Sequence, residues 1–174
     1  MVRSALSMGN RPLSRGARSG HEIVPALSVA LASLLAVLPI VSAHGWWPNA
    51  GLLMLLAWRM LRADTWPAWV AAPLGLWNDL VTGSPLGLSV ALWTAFMLAM
   101  DVIDRRTMWR DYWLEWILAT LLLILAELAQ WRVAALGGAP VRVASEWPSL
   151  LIAPLCFPIA AYLVRRIDRW RMGQ

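Results

Sequence analysis

The groups able to do chemistry in this sequence are few, and most of them interrupt apolar runs. Asp79 and Glu127 are carboxylates, Gln130 follows Glu127 by one helical turn, His21 and His44 bracket the first apolar run, and Cys156 is the only thiol. Acid–base catalysis needs titratable groups gathered around a reacting atom, and covalent catalysis needs a nucleophile beside its base. Neither is written in a local motif. There is no phosphate-cradling glycine loop, no nucleophile elbow and no His-Glu-x-x-His. The two histidines read as interfacial polar residues, since a whole apolar run separates them. Cys156, between Pro154 and Pro158, reads as a small buried residue, and no Cys/His/Asp group has metal-ligand spacing. These residues predict neither catalysis, nor a cofactor, nor a metal.

The elements that position them are set by composition. Of 174 residues, 60% are hydrophobic, with a mean hydropathy of +0.59, against about 45–50% apolar residues in soluble chains. The expected class is an all-α integral membrane protein of about six transmembrane helices. The spans fall near 23–41, 48–61, 66–82, 85–103, 112–131 and 147–164, in one domain over 21–174. Residues 1–20, with Arg3, Arg11, Arg15 and Arg18 and no acid, read as a disordered basic cytoplasmic tail. The first apolar run exceeds a signal-peptide core of about 7–15 residues, so it reads as a span.

The net charge of +5 comes from 15 arginines and no lysine. They cluster beside apolar runs, which is a topology signal and excludes nucleic acid as the expected partner. Six spans put 13 arginines inside and two, Arg132 and Arg142, outside, so both termini are expected in the cytoplasm of a bacterial inner membrane. Arg59 and Arg62 are expected to snorkel to that interface, and Asp101-x-x-Asp104-Arg105-Arg106 to form a solvated rim. Thirteen tryptophans suggest interfacial belts at Trp46, Trp47, Trp66, Trp109, Trp113, Trp131, Trp147 and Trp170. Pro148, Pro154 and Pro158 predict a bent or locally unwound last span.

Asp79 lies in the run Gly75-Leu-Trp-Asn78-Asp79-Leu-Val-Thr82-Gly83-Ser84-Pro85-Leu-Gly87. Gly83 suits a left-handed residue past a helix end, Ser84 a cap and Pro85 a first helical position, which together predict a tight helical hairpin. A carboxylate at the bilayer centre costs about 2.5–3.5 kcal/mol, so Asp79 is expected to face protein. Arg132 and Arg142 are the external arginines and therefore its candidate counter-charges. Glu127 and Gln130 lie deep enough in the fifth span for either a packing or a functional role. In the first span Ala26, Ala30, Ala32 and Ala36 make a smooth face, expected to dock a partner helix.

The Gly75–Gly87 run, followed by apolar Leu88 to Met100, resembles the central signature of the bacterial rod-shape-determining MreD family. The motif covers about a tenth of the chain, and length and span placement extend the resemblance to roughly residues 22–170. It implies a non-enzymatic subunit of the elongasome that helps lay down lateral peptidoglycan. The implied partners are an MreC-like bitopic protein, the actin-like MreB filament, and a RodA-type glycosyltransferase with its transpeptidase. A chain of this size and span count also resembles the substrate-binding subunits of energy-coupling-factor vitamin transporters, whose fold the MreD family is thought to share. An aromatic, polar-lined cavity open to the outside would favour that alternative.

Overall fold

The computed structural model describes residues 19–38, 47–62, 66–106, 112–137 and 143–172. Every element among them is helical. The principal helices are α1 (Ser19–Leu34), α2 (Ala50–Leu61), α3 (Ala71–Thr82), α4 (Leu88–Arg106), α5 (Tyr112–Leu136) and α6 (Val143–Met172). Single 3₁₀ turns extend α1 at Leu35–Val37 and lead into α3 at Ala68–Val70. Residues 1–18 of the basic tail, His44 and Arg142 lie outside the described residues, as does the side chain of His21.

The bundle forms around α2. This helix is apolar on every side, which suits only a helix enclosed by others, and ten of its twelve residues are buried. Asn49 caps it, its side-chain oxygen accepting the Leu52 N–H at 3.1 Å. It packs against α1, α6 and α5, while α3 and α4 form the most extensive pairing and α5 packs along α6. Trp58 and Trp93 are almost wholly enclosed, together with Leu52, Leu55, Met97 and Met100. Trp66 is buried as well, so it fills the core where an interfacial anchor was expected.

The outer surface is apolar. Ile23, Leu27 and Leu31 make an exposed stripe at four-residue spacing on α1, as do Ile117, Leu121 and Leu125 on α5 and Leu151, Leu155 and Ile159 on α6. Trp113–Leu136 and Pro148–Met172 are long and apolar enough to cross a membrane.

α6 is continuously helical through Pro148, Pro154 and Pro158, so the local unwinding expected there is not found. Pro158 has no N–H to offer the carbonyl of Pro154 four residues back, and the Trp116 indole N–H of α5 donates to that carbonyl at 3.2 Å instead. A neighbouring helix thus satisfies the group that would otherwise favour unwinding. The small-residue face of α1 is also largely used inside the chain. Ala32 is buried, Ala26 packs on the core, and the carbonyl of Ala30 accepts the Trp77 indole N–H at 3.1 Å. Ala36 is half-buried and lines a cavity described below.

Candidate functional site

The glycine-rich hairpin between α3 and α4 begins with a close approach. A Cβ placed on Gly75 would lie 2.7 Å from the backbone oxygen of Ser89 and 2.8 Å from the Cα of Val90. Both obstacles are backbone, so only glycine permits this spacing. Gly83 ends α3 with φ +68°, as its position predicts.

The chain then departs from the expected immediate restart. It makes a turn in which the Leu88 N–H donates to the Pro85 carbonyl at 3.1 Å, with Gly87 at φ +96° in the position where a type II turn requires positive φ. The carbonyl of Gly87 accepts the first bond of α4, from the Ala91 N–H at 2.9 Å. The cap comes from α3 rather than from Ser84. Asp79, 1% exposed, accepts the Gly87 N–H at 2.8 Å and the Ser89 N–H at 3.0 and 3.2 Å. Its negative charge also suits the positive end of the α4 dipole. Ser84 hydrogen-bonds Thr82 at 2.8 Å, and the Thr82 hydroxyl donates to the Asn78 carbonyl at 2.8 Å.

This geometry does not use Arg132 as the counter-charge. No ion pair joins Asp79 to Arg132, which is exposed on the last turns of α5. Arg142 lies outside the described residues. Backbone donors supply what an arginine was expected to supply, and they do so within the motif itself.

Asn78 completes the clasp by donating from Nδ2 to the Ser89 hydroxyl at 3.0 Å. Its Oδ1 is buried without a hydrogen-bond partner among the described residues. Opposite stands Gly51 of α2, where a Cβ would collide with the Ser33 hydroxyl and come within 3.2 Å of Asn78 Oδ1. Gly51 therefore lets α2 reach α1 and the clasp together. Sequence reasoning overlooked it, although a lone glycine inside an apolar helix signals such a contact.

Glu127 and Gln130 meet at a cavity of about 300 Å³ beside the hairpin. Thr82, Ser84, Asn49 and Ser33 supply further polar atoms to its lining, and Trp47 and Trp131 supply indole faces. Asp79 is not among the lining residues. Among the described residues no group of three or more His, Cys, Asp or Glu comes together.

A second polar cluster gathers at the opposite end of α2. Arg59, 3% exposed, pairs with Asp101 at 2.6 Å and Asp104 at 2.7 Å. Arg62 and Arg171 share Asp168, at 2.9 and 2.7 Å, and Arg171 lies 5.5 Å from the centre of the Trp58 ring. Arg59 thus points inward and ties α2 to α4, where sequence suggested snorkelling and a merely solvated acidic rim. The signal was present in Arg59 and in two acids one turn apart, Asp101 and Asp104, at the same expected interface. Compared with family models, curated proteins and solved structures, the chain matches none.

Proposed function

We propose that this chain is a six-span, non-enzymatic scaffold subunit of the bacterial elongation machinery, holding partner proteins in the inner membrane while lateral peptidoglycan is made. The observation that carries the reading is the use of the motif. Gly75, Asn78, Asp79, Gly83 and Gly87 are engaged in fixing one helix pair: Asp79 accepts from the backbone of Gly87 and Ser89, Asn78 donates to the Ser89 hydroxyl, and the glycines permit the close approach and the turns. A rigid hairpin presenting helix faces suits a protein that works by contact. The 13-to-2 arginine division supports cytoplasmic termini, and the resemblance to the MreD family supplies the partners: an MreC-like bitopic protein, the MreB filament and a RodA-type synthase pair. Depletion in the native host tests this. Cells are expected to round up and to lose lateral incorporation of a fluorescent D-amino acid; rods growing normally after depletion contradict the proposal.

One observation favours a second reading, a substrate-binding subunit of an energy-coupling-factor transporter. The cavity lined by Glu127, Gln130, Trp47 and Trp131 has the polar and aromatic character such a subunit needs, at the small end of ligand pockets of about 300–1,000 Å³. Mass spectrometry of the protein purified in mild detergent separates the two. A vitamin-sized molecule retained at unit stoichiometry supports the transporter reading, and its absence supports the scaffold.

A further inference from the structure

α6 is amphipathic in a way that the bundle does not use up. Ala153, Phe157, Ala160, Val164 and Asp168 are buried at helical spacing and form its inner face. On the opposite side Leu155, Ile159, Tyr162, Arg166 and Arg169 succeed one another at three- and four-residue steps, all exposed. This outward stripe changes from apolar to cationic along its length.

The charges on it are unneutralised. Asp168 is taken by Arg62 and Arg171, and no ion pair engages Arg165, Arg166 or Arg169 among the described residues. Arg166 and Arg169 line a groove of about 490 Å³ with Leu163, Ile167 and Trp170. A second groove of about 430 Å³ shares Arg169 and adds Arg165 and Tyr162. From Leu155 to Arg166 the helix rises about 16 Å, close to the depth of one leaflet in a hydrocarbon core of about 30 Å.

We infer that this stripe of α6 is a binding site for an anionic phospholipid, with Arg166 and Arg169 holding the headgroup phosphate and Leu155, Ile159 and Tyr162 lying along an acyl chain. Arginines three residues apart share a helix face, and each guanidinium presents paired donors that match phosphate oxygens. Trp170 sits at headgroup level beside them. An acidic protein segment would match the arginines alone. A lipid matches the arginines and the apolar stripe at the observed separation. The inference rests on the membrane reading of the chain and is independent of what the scaffold binds.

The test reconstitutes the full chain into phosphatidylcholine vesicles containing a minor fraction of phosphatidylglycerol, re-extracts it in mild detergent, and counts retained lipids by native mass spectrometry. The wild type is expected to enrich phosphatidylglycerol over phosphatidylcholine. The double variant Arg166→Gln/Arg169→Gln is expected to lose that preference by about tenfold or more, with its melting temperature unchanged because neither side chain has a protein partner. Arg105→Gln, an exposed arginine of α4, is expected to keep it. Equal enrichment in the double variant, or equal loss in Arg105→Gln, overturns the site. A wild type that inserts but shows no preference also overturns it, and capture of a polyglutamate peptide in that case reassigns the surface to an acidic protein. Failure to insert into either vesicle instead overturns the membrane reading itself.

Discussion

At the scale of single residues, Asp79 does the work of a helix cap from outside the helix it caps. Of the two N–H groups it serves at the start of α4, that of Ser89 is buried and that of Gly87 is partly open to its surroundings, and a buried donor left without a partner costs about 1–3 kcal/mol. Asp79→Leu strands the buried Ser89 donor and is expected to lower stability by about 1–3 kcal/mol, whereas Asp79→Asn retains one acceptor and is expected to lose about half of that. Thermal unfolding in detergent measures both; equal losses contradict the capping account. Gly75→Ala forces its methyl against the backbone of Ser89 and Val90, an overpacking expected to cost about 1–3 kcal/mol. Gly83→Ala meets no atom but must hold φ +68°, which costs about 1–2 kcal/mol. The same calorimetric series is expected to rank them in that order. The importance of Asp79 was legible because a carboxylate in an apolar run demands a partner. Which partner was not, since the turn at Pro85–Leu88 decides which amides face α3, and turn geometry is only loosely encoded by Ser-Pro-Leu-Gly.

At the scale of elements, α2 is pinned at its arginine end by ion pairs and by the adjacent Trp58, whose indole N–H donates to Ser28 of α1 at 2.8 Å. Arg59→Met removes the cation that pairs with both Asp101 and Asp104. Breaking a fully buried pair costs about 3–5 kcal/mol, and the side-chain exposures of 36% for Asp101 and 19% for Asp104 reduce the expected loss to about 2–3 kcal/mol. Adding Asp101→Asn and Asp104→Asn is expected to restore about half of it, and additive losses in that cycle rule out the coupling. Helix positions were legible from hydropathy and arginine placement, because apolar runs and their charged ends are read directly. The inward turn of Arg59 and the survival of α6 through three prolines were hidden, because each depends on what a neighbouring helix offers.

At the scale of the molecule, the described α-helices number six, and two of the helical stretches, Trp113–Leu136 and Pro148–Met172, are long and apolar enough to cross a membrane. α2 has twelve residues and a length of about 18 Å, short for a hydrocarbon core of about 30 Å. In the proposed six-span topology its enclosure by other helices makes that length tolerable, since it need not meet lipid along its sides. The proposed topology predicts signal from a periplasm-only reporter fused after Gly138 and none after Arg62, Arg106 or Gln174; signal at Gln174 contradicts an even number of spans. The cavity beside Glu127 was only half legible. Both polar residues stood out in the fifth span, but their convergence with Trp47, Thr82 and Ser84 is a product of the hairpin and of the way α5 lies against it. The scaffold reading is tested most directly by isolating the chain from its native membrane in mild detergent and identifying what comes with it. The account predicts a bitopic MreC-like protein at near-equal amount, with synthase components beside it. Recovery with an ATP-binding-cassette pair and a transmembrane coupling subunit, and with none of the elongation proteins, contradicts it.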